Sequence, residues 1–400
     1  MDFDPPESVR PILERIDRLL ADHVLPAEAE VLERGWNGAA ELLAGLRAKV
    51  KEAGLWGPQI PKELGGLGLD LVEHGLVSER LGRTPLGHYV FGAQAPDAGN
   101  LEILHKFGTD AQKAKWLEPL ARGDIRSCFS MTEPDNAGSN PTMLSCVARV
   151  DGNDYVIDGR KWFTSSADGA AFAIAMVVTN PEADKHARAS MVIVPCDTPG
   201  FRLVRNIPIM GDRGEGWASH GELEYINCRV PIENRLGPEG AGFLIAQERL
   251  GPGRIHHCMR WVGICERVFD LMCARAASRV IDDDGKTLAT RQIIQAWIAE
   301  ARAEVDASRL MVLNAAWTIQ HKGFHAARDF VSTIKFYVAD VMMRLIDRAI
   351  QVHGALGITS DTLLAHYYVH ERGARIYDGP DEVHKMVVAR RILARYGAKR

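Results

Sequence analysis

Apolar positions recur at helical spacing along the first third of the chain. Ile12, Ile16, Leu19, Leu20 and Val24 form one stripe, and similar stripes start at Glu41 and Val72. The pattern predicts an N-terminal α-helical bundle, punctuated by Pro58-Gln59-Ile60-Pro61 and Gly65-Gly66-Leu67-Gly68. Gly108-Thr109-Asp110 precedes a further helix carrying Gln112, Lys113 and Trp116. After Gly123 the period shortens to two. Alternating β-branched residues at Val147 to Asp151, Tyr155 to Asp158 and Lys161 to Thr164, with Asp-Gly turns between them, predict strands. Others are expected at Phe172 to Val178, Ser190 to Val194, Phe201 to Arg205 and Gly221 to Ile226, making a small antiparallel β-barrel or sandwich. From about Gly240 the helical period returns, with long segments from Gly253, Thr290, Arg328 and Asp381, which predict a C-terminal four-helix bundle. The expected class is α+β with three domains, at 1–126, 127–238 and 239–400.

One stretch breaks the helical pattern in a way that suits chemistry. In Ala374-Arg375-Ile376-Tyr377-Asp378-Gly379-Pro380-Asp381-Glu382-Val383-His384, Gly379 and Pro380 end one helical run and Asp381-Glu382 open the next. Asp378 therefore stands at a helix-to-helix joint, where a carboxylate either caps a helix or points into a cavity as a general base.

Composition narrows the function. The 400 residues are 46% hydrophobic and 25% charged, enough for two or three domains with real cores. A formal net charge of -4 gives no basic field for a phosphate backbone, so nucleic acid is not an expected partner. Met1 to Pro6 lacks a basic region followed by an apolar core, and no run reaches the roughly 18 apolar residues of a membrane span, so a cytoplasmic chain is expected. Seven cysteines are scattered singly and read as reduced packing thiols. Gly285-Lys286-Thr287 fails as a phosphate loop because Val280 holds the upstream glycine position, and Gly65, Gly66 and Gly68 do not form a dinucleotide fingerprint. His256-His257 are adjacent rather than spaced along one helix face, so no metal is expected.

The order helical, β, helical, with the motifs it carries, resembles the acyl-CoA dehydrogenase family over nearly the whole chain. Met131-Thr132-Glu133-Pro134-Asp135-Asn136-Ala137-Gly138-Ser139-Asn140 is similar to the family's first flavin signature, with Asn140 where an Asp is usual. Gly138-Ser139 offers backbone and a hydroxyl suited to a pyrophosphate, and Thr132 a donor to a flavin edge. Lys161-Trp162-Phe163-Thr164-Ser165 resembles the second flavin segment, with Trp162 near the ring and Thr164 bonded to it. Arg275 matches the arginine that reaches a neighbouring subunit's FAD, although Ser278-Arg279 and Asp282-Asp283-Asp284-Gly285 replace the usual Phe-Gly. Gln292 fits the next adenine-side position, and Gln351-Val352-His353-Gly354-Ala355-Leu356-Gly357 resembles the glycine turn over the partner's FAD, with Glu382 also on the cofactor side.

Tyr377-Asp378-Gly379 resembles the family's Tyr-Glu-Gly, with Asp as the base. The shorter side chain gives up roughly 1.5 Å of reach, against the approach of about 3 Å that proton abstraction needs. Glu248, in Gln247-Glu248-Arg249, stands where some branched-chain relatives keep their carboxylate and is the alternative base; its other reading is a solvated charge paired with Arg249 or Arg254. The resemblance places Ser139, Arg249, Tyr377 and Gly379 against substrate. Leu250 to His257 together with Asp378 to His384 looks most like the subgroup sometimes fused to a phosphotransferase-like domain; no such domain is expected within these residues.

The resemblance implies an FAD enzyme of fatty-acid β-oxidation or related catabolism. It would take the pro-R α-proton of an acyl-CoA thioester onto the carboxylate and the β-hydride onto flavin N5, giving the trans-2-enoyl thioester. The flavin ribityl hydroxyl and the base residue's N–H would polarise the carbonyl, and electron-transfer flavoprotein would accept the electrons. A homotetramer, or at least a homodimer, is implied. The alternatives are a flavin oxidase on the same fold, of acyl-CoA or nitroalkane type, and a DNA-associated alkylation-response flavoprotein. Chain length and branching are not legible, though Ala93, Ala95 and Gly99, between Val90 and Asn100, predict room for the acyl tail.

Overall fold

The structure is a computed structural model. It describes residues 4–398; Met1–Phe3 and Lys399–Arg400 lie outside the described residues. The chain packs into two compact units, one from Met1–Leu25, Asp70–His88 and Pro252–Arg400, the other from Pro26–Leu69 and Tyr89–Gly251.

The N-terminal helices are α1 (Arg10–Leu19), α2 (Leu25–Gly38), α3 (Ala40–Glu52), α4 (Leu71–Gly82), α5 (Gly87–Val90), α6 (Asp97–Phe107), α7 (Asp110–Gln112) and α8 (Glu118–Arg122). Local chemistry starts them. Asp70 caps α4 by accepting the Glu73 N–H at 2.8 Å, while the Glu73 carboxylate takes the Asp70 N–H at 3.2 Å; Thr109 and Gln112 make the same reciprocal box at α7.

The strands are β1 (Ser127–Ser130), β2 (Val147–Asp151), β3 (Asp154–Ser165), β4 (Phe172–Val178), β5 (Ala189–Pro195), β6 (Phe201–Asn206), β7 (His220–Pro231) and β8 (Arg235–Leu236), in one sheet of order β6-β7-β3-β2-β4-β5-β8. The alternation located most of them, with three corrections. β1 and β8 have too few residues to show a period. Asp158-Gly159 read as a turn between two strands, but Gly159 lies inside a single β3 at φ +148, where a Cβ would stand 2.6 Å from Cys146 Cα. The register shift there is a bulge rather than a hairpin. The strands expected to be antiparallel also include parallel pairings of β1 and of β2 with β4.

β4 shows why it is wholly apolar. Phe172, Ile174 and Met176 pack with Leu101, Leu104 and Trp116 of the helical layer, while Ala173, Ala175 and Val177 face Tyr155, Val192 and Tyr225. Both faces are covered, so no polar alternation is needed.

The last helices are α9 (Gly242–Ser278), α10 (Gln292–Lys322), α11 (Phe324–His353), α12 (Leu363–Glu371) and α13 (Asp381–Ala394). Their core joins Trp261, Val262, Cys265 and Val268 of α9 to Val305 and Val312 of α10 and Ile334, Val338 and Leu345 of α11. α4 lies close against α9, because a Cβ on Gly263 would sit 2.0 Å from the Glu79 carbonyl and one on Gly82 2.3 Å from that of Arg260. Glycine at both positions lets the two backbones approach this closely. Among the described residues, no helix is long and apolar enough to cross a membrane.

Candidate active site

In the unit that contains α9 to α13, Asp378 adopts the left-handed backbone at φ +53, followed by Gly379 at φ +100 and then Pro380, the N-cap of α13. Asp is among the few residues that tolerate this conformation. The peptide is fixed from two sides: the Asp378 carbonyl accepts Arg254 Nε and Nη2, each at 3.2 Å, and His384 Nε2 at 3.0 Å, which sets the His384 tautomer. The side chain is 21% exposed, and Oδ2 lies 3.4 Å from His257 Nε2. Burial pushes the His257 imidazole down to about 4, with the Asp378 carboxylate pulling the other way. Burial likewise brings His384 to about 4.

A second layer holds this turn. Arg260 Nη1 and Nη2 bind both Glu371 oxygens, at 2.5 and 2.7 Å, and Nη2 donates to the Tyr377 hydroxyl at 3.2 Å. Burial works to raise the Glu371 carboxyl, yet the Arg260 charge and hydrogen bonds hold it below its ordinary range. At the start of α13, Asp381 accepts Arg375 Nε at 2.7 Å and lies 3.8 Å from the buried Lys335 ammonium. Tyr377 packs its ring against His257 and Trp261.

The flavin signatures meet in the other unit. Thr132 and Trp162 are joined by two bonds, Trp162 N–H to the Thr132 carbonyl at 3.0 Å and Thr132 Oγ1 to the Trp162 carbonyl at 2.7 Å. The Thr132 hydroxyl proton, expected to reach a flavin edge, is therefore already given to backbone. Beneath this pair lies an ion pair that the sequence did not single out. Lys161 Nζ binds Glu133 Oε1 at 2.9 Å and the Met131 and Met176 carbonyls at 2.9 and 2.7 Å, with Lys161 fully buried. Glu133 also takes the Ser145 and Cys146 N–H groups at 2.6 and 3.0 Å, which closes the signature loop. Gly138 and Ser139 are exposed on that loop, and a Cβ on Gly138 would meet Thr132 Cγ2 at 3.3 Å. Two Glu and Lys residues 28 apart carry no periodic signal, so only the fold could join them.

The residues suit a bound flavin on one observation above others: Thr164 Oγ1 is fully buried without a hydrogen-bond partner, beside Trp162 and the exposed Phe163 at φ +49. Arg275 Nε, in the other unit, is likewise buried and unbonded. Gln292, Gln351, Gly354 and Glu382 are exposed, whereas Gly357 is buried with its Cβ position 2.7 Å from the Ile350 carbonyl.

Glu248 differs from the expectation in its partner. Its carboxylate meets Lys106 Nζ at 2.6 Å, not Arg249 or Arg254, with both side chains exposed. Arg249 instead donates Nε to Asn100 Oδ1 at 3.1 Å and Nη2 to the Pro96 carbonyl at 3.3 Å, and lies 4.1 Å above the Phe129 ring. Those bonds stabilise the scaffold and compete with the substrate contact that was expected of it. Around the expected acyl room, Ala93 and Asn100 are buried, and a Cβ on Gly99 would touch Arg249 at 3.0 Å. A cleft of about 610 Å³ in this unit is lined by Trp36, Tyr89 and Trp217 with Arg47, Lys51 and Arg126.

A helical domain, a middle sheet, a helical domain and a carboxylate held on a helix joint define a flavoprotein oxidoreductase scaffold. Sequence models of the acyl-CoA dehydrogenase N-terminal, middle and C-terminal domains match residues 6–124, 128–228 and 240–393. The chain belongs to the acyl-CoA dehydrogenase family. It is 45% identical over 390 residues to "Probable acyl-CoA dehydrogenase FadE2" of Mycobacterium tuberculosis, covering 95% of this chain and 94% of that one. It is 40% identical to acyl-CoA dehydrogenase family member 11 of Rattus norvegicus, covering 95% of this chain but only 49% of that protein, so it spans about half the length of that relative. Among solved structures, butyryl-CoA dehydrogenase of Megasphaera elsdenii superposes with a TM-score of 0.84 at 26% identity, over 98% of this chain and all of the other.

Proposed function

We propose that this enzyme carries out FAD-dependent α,β-dehydrogenation of an acyl-CoA thioester, with Asp378 as the base. The observation that carries the reading is the Asp378 turn: a partly buried carboxylate whose own carbonyl is pinned by Arg254 and His384. A carboxylate so placed accepts the α-proton without reorganising its backbone. The adjacent Tyr377 ring packs against Trp261, which steadies the turn. When bound, the flavin supplies the hydride acceptor. Met131, Thr132, Gly138, Ser139, Trp162 and Thr164 would hold it, the free Thr164 hydroxyl being the strongest support. The exposed Gln292, Gln351, Gly354 and Glu382, with Arg275, fit contacts to a second subunit's adenine half, which favours FAD over FMN and a homotetramer or homodimer. Within this reading, electron-transfer flavoprotein is the acceptor, the working segments are 1–126, 127–238 and 239–400, and the setting is fatty-acid or related acyl-CoA catabolism.

The test is an anaerobic screen of acyl-CoA thioesters of varied length and branching against the yellow protein, with the released cofactor identified by chromatography and the mass by light scattering. Flavin bleaching by at least one thioester, release of FAD and an oligomer are expected. FMN, no bleaching, or an active monomer would overturn the corresponding part. Rapid oxygen consumption with the same thioester would move the assignment to an oxidase.

A further inference from the structure

Arg254, His257 and Trp261 recur on α9 at spacings of three and four and therefore share one face. That face divides its work on Asp378. Arg254 takes the backbone carbonyl from one side while His384 takes it from the other, and His257 Nε2 reaches the carboxylate at Oδ2. Bonds to a carbonyl fix the peptide; the side-chain torsions of an aspartate are set by contacts to the carboxylate itself. In a base one methylene shorter than glutamate, a wrong rotamer moves the carboxylate away from the proton by more than proton transfer tolerates.

We propose that His257 is a positioning residue for the Asp378 carboxylate, orienting it through a ring N–H directed at Oδ2 for transfer of the substrate α-proton. The inference rests on the reading of Asp378 as the base.

The imidazole is itself held in place. Its ring lies nearly parallel to that of Trp261, 27° at a centroid distance of 6.1 Å, and packs 5.6 Å from Tyr377. Tyr377 is tied by its hydroxyl to Arg260, and Arg260 is locked on Glu371. At 3.4 Å the His257–Asp378 contact is longer than an ordinary N–H···O bond. Such looseness is common in catalytic pairs that tighten once the substrate is engaged.

Charge state matters as much as position. His257 is faced by Asp378, Arg260, His256, Glu371, Tyr377 and His88; Asp378 is faced by Arg254, Lys335, His384, Cys258 and Tyr377 besides His257. Burial keeps the His257 ring neutral across the working range, so it can donate one hydrogen bond without adding a third cation to Arg254 and Lys335. A cation at this point would lower the proton affinity of the base and weaken it; a neutral donor orients the carboxylate and favours its ionised form only modestly.

The experiment uses the flavin-loaded enzyme and the thioester that bleaches the wild type fastest, and follows the rate of anaerobic flavin reduction against pH. His257→Phe keeps the stacking on Trp261 and Tyr377 but removes the donor. It is expected to lower the maximal rate by about tenfold and to move the acidic limb up by about one pH unit, with thioester affinity nearly unchanged. His257→Gln restores a donor and should recover the rate to within about threefold of wild type. If His257→Phe does not fold, His257→Leu gives the same comparison. A His257→Phe profile that overlays the wild type, or equal losses in the Phe and Gln variants with no movement of the limb, overturns the inference. Asp378→Asn run alongside separates the two levels. Should it still reduce flavin, the base assignment itself fails; should it be inert while His257→Phe is normal, only the positioning role falls.

Discussion

Two carboxylates competed for the role of base, and their surroundings differ in kind. Glu248 sits on the first turns of α9 with its side chain 44% exposed, paired to the still more exposed Lys106. Such a pair contributes at most about 1 kcal/mol, and its charge needs no special backbone. Asp378 is 21% exposed on a left-handed turn whose carbonyl has three donors, with a neutral histidine at its carboxylate. Proton abstraction needs a carboxylate that is oriented and partly dry, and the fold has built that around one of the two.

The sharpest way to break this contrast is substitution of the proposed base. Asp378→Asn keeps the turn, since Asn also accepts left-handed backbone, and should slow anaerobic flavin reduction by about 10²-fold or more with the flavin still bound. If Glu248→Gln stops reduction instead, the two roles must be exchanged and branched substrates become the better guess.

The turn can next be strained without touching the carboxylate. Gly379 lies at φ +100, and a Cβ there would stand 2.7 Å from His384 Nε2. Gly379→Ala should cost about 1–3 kcal/mol in denaturant titration and reduce the rate through displacement of His384.

Acid tests the same region through its histidines. Burial depresses His257 and His384 from 6.5 to about 4, so the unfolded chain binds more protons between those values. The associated stability is fully present above about pH 6.5 and is lost as pH falls through 4. The melting temperature should fall over that window, and His257→Phe should flatten the fall; an unchanged profile in the variant would contradict the burial argument.

The smallest effect is expected at the other carboxylate. Glu248→Gln should leave stability within about 0.5 kcal/mol and the flavin-reduction rate within about twofold, by the same two assays.

Periodicity alone determined much of this protein. The switch from a period near 3.6 to 2 and back marked the helical, sheet and helical segments, and Gly379-Pro380 marked the joint that carries Asp378, because these signals are local. Short range also explains the errors: Gly159 looked like a turn although it is a bulge, and β1 and β8 were too brief to show a pattern. Tertiary structure decided what each charge does. Lys161 finds Glu133 from 28 residues away, Lys106 finds Glu248 from 142, Arg260 finds Glu371 from 111, and Arg254 finds the Asp378 carbonyl from 124. No spacing rule links such residues, since a charged side chain is equally at home in water until the fold brings distant groups together, and where it is buried, as at Lys161, partners must replace the lost water.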